Sequence, residues 1–344
     1  MTIDALIQTK ELDNCLLIGY FGGGNFGDEL LLEVVMNMFA ASSYENVAIR
    51  YANIERYAVY HHQFGYRLVD GNDLWASLKA LLRQRTVVVG GGGLWGLDTN
   101  RNIFIMSILL FIARFILHKR IYLIGVGFYG SASRLGRISA WFAAKSANIV
   151  ICRDKESALN FKKMKKDSYI DNDIAFNMPR LDLSGYRAEA AELAELLKIH
   201  QKTTYITLRK FRGTVGRRFE SMIQALVIAH PKQLFLVSLL QPAIEYPEGD
   251  QLIKTLATTY PNVKYMDGDI NPLVLYSYFS MHANVFRFMT PQFHAIIMAI
   301  LSGIEFLPLS YDNKVTALLS DKVPGSKPIG LEELSLHDLE EFST

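Results

Sequence analysis

The sequence predicts an α/β protein made of two doubly wound, Rossmann-like domains. Three observations carry this. Short apolar runs of strand length alternate with stretches of helical periodicity along nearly the whole chain, the pattern of parallel sheets covered on both faces. Glycine clusters follow three strand candidates: Gly22, Gly23, Gly24 and Gly27; Gly90, Gly91, Gly92 and Gly93; then Gly125, Gly127 and Gly130. The alternation lapses in a Pro, Leu and Gly containing passage over residues 177–186 and then starts afresh. The expected domains are therefore residues 1–178 and 187–344, with a linker at about 179–186.

In chain order, residues 15–18 read as a buried strand that turns through glycines into an amphipathic helix starting near Asp28. Residues 47–52 form the next strand. A Tyr- and His-rich connection follows, in which Tyr57, Tyr60, His61 and His62 read as helix surface and packing, since no neighbouring carboxylate or Cys completes a metal-ligand spacing. A helix over 72–83 leads to a strand at 86–89, and an apolar crossover helix over 103–117 leads to a strand at 120–124. A helix over 134–145 and a strand at 147–152 complete the series. The run Lys162, Lys163, Lys165 and Lys166 reads as a solvated helix end. After the linker and a helix over 188–199, strands are expected at 204–208, 234–239, 263–266, 284–288 and 305–309. Helices at 217–230, 250–260, 272–280 and 291–302 fall between them. Two such domains facing a cleft describe the glycosyltransferase-B-like architecture, in which ligands bind outside the carboxyl ends of the strands.

Composition narrows the class. With 344 residues, 50% hydrophobic and 20% charged, the chain has room for two globular domains, and a formal charge of +2 gives no basic excess for nucleic acid. Cys15 and Cys152 both lie in apolar runs, which suits buried thiols in the cytoplasm. The first residues lack the basic and apolar regions of a secretion signal. Residues 103–117 fall short of the roughly 18 needed for a span and contain Arg114, so a buried helix is expected. The basic flank of His118, Lys119 and Arg120 keeps peripheral membrane contact open.

Glycines before a helix N-terminus invite an anion. The spacing Gly22-x-Gly24-x-x-Gly27 also fits a dinucleotide fingerprint, but Asn53 stands where the ribose-binding acid belongs and Glu55 lies off register. Asp28 and Glu29 would repel a pyrophosphate there; they either compensate the helix dipole or meet a different ligand. In the second domain the strand exits carry Arg209, Lys210 and Arg212, then Arg287, Gln292 and His294, then Tyr311, Asp312 and Lys314. Several cations on one rim suit a small, multiply charged anion. His294 heads an otherwise apolar helix, and its residue type alone leaves it structural or catalytic. No Ser-His-Asp order, zinc spacing or P-loop lysine points to another mechanism.

Taken together, GYFGGGNFGDE (19–29), VVVGGGGLWG (87–96), ICRDKES (151–157), DNDIAF (171–176), TLRKF (207–211) and FHAIIMAILSGIEFLPLSYDNKV (293–315) resemble, in order and spacing, the polysaccharide pyruvyl transferases. The resemblance covers nearly the whole chain. It implies an enzyme that moves the pyruvyl group of phosphoenolpyruvate onto two hydroxyls of a sugar, forming a cyclic ketal in cell-surface polysaccharide assembly, with no metal and no cofactor beyond the donor. The implied partners are phosphoenolpyruvate and a saccharide acceptor, activated or lipid-linked.

The resemblance assigns His294 as general acid or phosphate ligand, Arg209 as anion clamp, and Asp28 or Glu29 as partner of the acceptor hydroxyl. Gly24, Asn25, Gly27, Gly92 and Gly93 would let substrate approach, with Arg153, Lys314 and Tyr311 as further ligands. The first domain becomes the acceptor side and the second the donor side. One departure is Gln292, where many members carry Arg two residues before the His; Arg287 is the cation nearest in sequence to replace it. Glu305 stands where Val or Ile is usual and reads as edge- or loop-facing. Two other readings remain: a nucleotide-sugar glycosyltransferase using Glu332 and Glu333 as ribose acids, and an inactive member serving as a binding protein.

Overall fold

Seven parallel strands form the first of two sheets in the computed structural model, which describes residues 1–61, 64–96, 101–129, 133–211 and 214–343. His62, Gly130 and Arg212 lie outside the described residues. The elements of the first unit run α1 (Ile3–Gln8), β1 (Cys15–Ile18), α2 (Phe26–Ala41), β2 (Val47–Tyr51), α3 (Ile54–Tyr60), β3 (Arg67–Asp70), α4 (Leu74–Arg83) and β4 (Thr86–Trp95). There follow α5 (Arg101–Phe115), β5 (Arg120–Phe128), α6 (Arg134–Ser146), β6 (Ile149–Cys152), α7 (Lys155–Lys163) and β7 (Tyr169–Ile170). Spatial order is β3-β2-β1-β4-β5-β6-β7. The order reverses between β1 and β4, so the crevice outside their carboxyl ends is the topological switch point.

The strands read as unbroken apolar runs because both faces are buried. Leu16, Ile18, Val87, Val89, Ile121, Leu123 and Val150 pack on one face under α4, α5, α6 and α7, while Leu17, Val88 and Ile151 are buried as well. Burial pushes the Cys152 thiol up to about 12 and raises that of Cys15 too, so both are inert apolar filling.

Two expectations change here. The second and third glycine clusters are not loops: β4 continues through Gly90, Gly91, Gly92 and Gly93 to Trp95, and β5 through Gly125 and Gly127 to Phe128. The strands pair at Gly90↔Ile124 and Gly92↔Val126, with register shifts between Gly92 and Trp95 and, on the β5–β6 side, between Ile124 and Val126. Glycine serves bulges there, and Gly91, Gly92 and Gly125 have positive φ. The apolar helix over 103–117, expected to be buried, is α5, whose Ile105 and Phe115 are exposed.

The second unit comprises α8 (Ser184–Leu197), β8 (Thr203–Thr207), α9 (Thr214–Ala229), β9 (Leu234–Ser238), α10 (Pro247–Thr259), β10 (Val263–Tyr265), α11 (Pro272–Met281) and β11 (Phe286–Thr290). Then come α12 (Phe293–Ser302), β12 (Glu305–Ser310), α13 (Asn313–Lys322), β13 (Ile329–Gly330) and α14 (Leu336–Ser343). Its six-stranded parallel sheet has the order β10-β9-β8-β11-β12-β13, again reversing beside its first strand, between β8 and β11. The chain thus divides into two compact units: Met1–Gly24 with Asp28–Leu181 makes one, and Asn25–Gly27 with Asp182–Thr344 makes the other.

Candidate active-site residues

In the first unit the loop after β1 is built around an internal anion. The N–H groups of Gly22 and Gly24 donate to Oε1 of Glu29 at 2.9 and 3.0 Å. Gly22 is required for this turn: its φ is +86°, and a Cβ would sit 2.4 Å from the backbone nitrogen of Ala52. Oε2 of Glu29 accepts from the Tyr51 hydroxyl at 2.8 Å and lies 2.8 Å from Nε2 of His61, whose Nδ1 is 2.7 Å from Oε2 of Glu33. Glu29, Glu33 and His61 are buried. Burial alone would push the His61 pKa down; the hydrogen bonds to Glu29 and Glu33 outweigh it and leave the pKa raised. Glu29 thus fills the amide cradle that a phosphate would have used, and its expected contact with substrate gives way to an architectural role. His61, read as packing, is the cation of that network. No group of three or more His, Cys, Asp or Glu among the described residues could hold a metal ion.

Asp28, one residue away, points elsewhere. It is half-buried, and a Cβ placed on Gly92 would lie 3.3 Å from its Oδ1, so carboxylate and glycine meet beside the β1/β4 switch point. A Cβ on Gly93 would lie 3.3 Å from a terminal guanidinium nitrogen of Arg153. Arg153, just after β6, donates to Oδ2 of Asp173 at 3.0 Å and to the Tyr129 hydroxyl. Burial disfavours its charge, but Tyr129, Asp173 and Asp154 more than compensate. The structure therefore brings Asp28, Gly92, Gly93 and Arg153 to one rim and adds Tyr129 and Asp173. The DNDIAF segment signalled Asp173; nothing in the sequence singled out Tyr129 beyond its place inside the third glycine cluster, between Gly127 and Gly130.

In the second unit Arg209 follows β8 and Tyr311 follows β12. A guanidinium nitrogen of Arg209 donates to the Tyr311 hydroxyl, and its central carbon lies 4.6 Å from that ring's centroid. Lys314 Nζ is 5.1 Å from the same centroid and 3.1 Å from Oδ2 of Asp312, which also caps α13 by accepting from the N–H of Lys314 and Val315. His294 lies in the first turn of α12, directly after β11, the strand between β8 and β12. The segment Asn25–Gly27 belongs to this unit. There the Phe26 N–H donates to the Leu240 carbonyl at 3.3 Å, and a Cβ on Gly27 would lie 2.1 Å from Nδ1 of His294. Asn25 is exposed and its Oδ1 accepts from the Gly27 N–H at 3.1 Å; Gly24 is buried in the turn.

Gln292 and Arg287 take other places than expected. The Gln292 amide donates to the Leu239 carbonyl at 2.7 Å and the Leu208 carbonyl at 3.3 Å, tying the ends of β9 and β8. Arg287 cannot stand in for a cation at the rim. It occupies the second position of β11, three residues before its carboxyl end and roughly 10 Å below it. It also pairs there with Glu305 at 3.0 Å and with the Phe342 carbonyl at 3.1 Å. Glu305 starts β12 and is exposed at that opposite edge. Glu332 and Glu333 are exposed between β13 and α14, where Arg218 donates to the Glu332 carbonyl at 2.7 Å.

The family model described as polysaccharide pyruvyl transferase matches residues 25–313. No curated protein matches the chain in sequence. Among solved structures, the UDP-GlcNAc 2-epimerase of Neisseria meningitidis bound to UDP-GlcNAc is 14% identical, with a TM-score of 0.59 over 95% of this chain and 89% of that one. The UDP-GlcNAc 2-epimerase of Methanocaldococcus jannaschii is 9% identical, with a TM-score of 0.61 over 95% and 90%. HepE of Anabaena, in complex with UDP and glucose, is 12% identical, with a TM-score of 0.57 over 95% and 88%. Such likeness speaks for the fold, the glycosyltransferase-B-like pair of Rossmann-like domains, and for nothing finer.

Proposed function

Because the chain belongs to the polysaccharide pyruvyl transferase family and is therefore a transferase, we propose that it moves the pyruvyl group of phosphoenolpyruvate onto two hydroxyls of a saccharide as a cyclic ketal. The observation that carries this reading is the set Arg209, Tyr311, Lys314 and His294 at the carboxyl ends of three adjacent strands. Phosphoenolpyruvate presents a carboxylate and a phosphate, and the second unit answers with two cations, an imidazole and the positive end of α12. Donor recognition is assigned to that unit.

In the reaction the methylene carbon of the enol gains a proton and becomes methyl, while C2 becomes oxocarbenium-like. One hydroxyl oxygen bonds to C2, the C2–O bond to phosphate breaks, and the second hydroxyl closes the ring. Of the two hydroxyl protons, one replaces that delivered to the methylene and the other balances the departing phosphate. His294 is assigned to deliver a proton or hold the phosphate, and Arg209 and Lys314 to hold the anion. Asp28, beside Gly92 in the first unit, is assigned to accept a hydroxyl proton; Glu29, sequestered by the loop, is not.

Phosphate release from phosphoenolpyruvate with a panel of cell-surface saccharides, free and lipid-linked, tests the proposal. Turnover with at least one acceptor is expected. No release with any acceptor, together with no thermal stabilisation by phosphoenolpyruvate, overturns it; stabilisation by UDP or GDP instead would select the nucleotide-sugar reading.

A further inference from the structure

From α5 and α6 we infer that the first unit carries a docking surface for an anionic lipid bilayer. The two helices pack through small groups: Ser107 and Ser139 hydroxyls lie 2.8 Å apart, Trp95 Nε1 donates to Ser107 at 3.3 Å, and Ala140 and Ala143 are fully buried. Small residues inside leave the large apolar ones outside. Phe111 bridges the helices, its ring centroid 5.4 Å from Phe142 and 6.4 Å from a near-parallel Trp141, and 4.5 Å from Phe115. On α5 and α6, and at Ile116 just past α5, the large apolar residues Ile105, Phe115, Ile116, Leu135, Ile138 and Trp141 are exposed, Ile116 by 67% and Trp141 by 43%. A water-facing helix surface ordinarily carries charged or polar groups at such positions, and contiguous exposed apolar area marks an interaction site.

Charge decides the occupant. Residues 101–152 contain seven Lys and Arg and no Asp or Glu, in a chain whose 36 basic and 34 acidic side chains nearly balance overall, so the rest of the chain is net acidic. Arg101, Arg134, Arg137 and Lys145 are exposed on the same two helices. A second copy of the chain seated symmetrically on this face would set that basic border against itself. An anionic headgroup layer pairs with it, while Trp141 and the aliphatic side chains enter the headgroup–acyl boundary. No described helix is long and apolar enough to cross a membrane, so contact is at the surface. The inference rests on these helices alone and stands apart from the reaction proposed above.

The test is flotation of the full chain with vesicles of phosphatidylcholine alone and of phosphatidylcholine with about 30% phosphatidylglycerol. Association with the anionic vesicles is expected, weakened by salt, with at least tenfold less on the neutral ones. Ile105→Ser/Ile138→Ser/Trp141→Ser, all at exposed positions, should lose it at least tenfold while the circular dichroism spectrum and Tm stay native. Should that triple variant misfold, Arg134→Glu/Arg137→Glu provides the same reading through charge. Equal binding to both vesicles, or anionic binding untouched by a folded variant, overturns the inference. So does a concentration-dependent dimer in sedimentation velocity that the triple substitution disperses, which would give the face to a second copy.

Discussion

The hydrogen-bonded chain Gly22/Gly24–Glu29–His61–Glu33 ties the opening turn to charges that never meet solvent. His61→Gln leaves two buried carboxylates without their cation and should cost about 3–5 kcal/mol, read as a fall in Tm or in denaturant midpoint. The pH dependence has a definite sign. The folded-state pKa of His61 is raised, so its contribution is complete below the unfolded value of about 6.5 and is lost as pH climbs through the folded value. Wild-type stability should therefore decline over that alkaline-going window more steeply than that of His61→Gln; parallel declines would show that other groups, such as neighbouring Tyr51 and Tyr57, set the dependence. At the proposed donor site, His294→Ala should reduce kcat about 100-fold or more with Tm preserved. Arg209→Ala should chiefly raise KM for phosphoenolpyruvate. Unchanged turnover in His294→Ala would take that residue out of the chemistry.

At the scale of elements, the turn after β1 and the strand ends tied by Gln292 are the features most open to test. Gly22→Ala meets the Ala52 backbone and a disfavoured φ together, so it should cost more than about 2 kcal/mol. Gln292→Ala strands two buried carbonyls, at about 1–3 kcal/mol each, whereas Gln292→Arg keeps donors for both and adds a cation. The Arg variant should fold as stably as wild type and bind phosphoenolpyruvate more tightly, seen as a lower KM. The elements themselves were largely legible because strands buried on both faces are unbroken apolar runs. β3, β7 and β13 escaped notice: RLVD is charged at both ends, and β7 and β13 span only Tyr169–Ile170 and Ile329–Gly330. The glycine clusters were legible as special backbone but not as bulged strands, since pairing partners decide between the two. Local sequence also placed Arg287 at a strand exit, because β11 runs two residues past the expected end. His61 was missed for a related reason: its partners are 28 and 32 residues away and meet it only when α2 and α3 pack.

For the whole molecule, the assignment of donor recognition to the second unit can be tested without a product assay, because the chain's three tryptophans, Trp75, Trp95 and Trp141, all lie in the first unit. Tryptophan fluorescence therefore follows unfolding of the first unit, while far-ultraviolet circular dichroism follows both. A ligand that binds only the native state stabilises it by about 2.7 kcal/mol at 100 times its Kd. If phosphoenolpyruvate sits on Arg209, Lys314 and His294, the circular dichroism transition should move up by several degrees while the fluorescence transition moves less. Hydrogen exchange should slow at the ends of β8, β11 and β12. Where the units melt as one cooperative body, both probes move together, and the assignment is then read from variants. Arg209→Ala should abolish the shift, and Asp28→Asn should keep it. A shift that survives Arg209→Ala and His294→Ala but vanishes in Asp28→Asn would place the donor in the first unit, beside Gly92, and reverse the roles of the two.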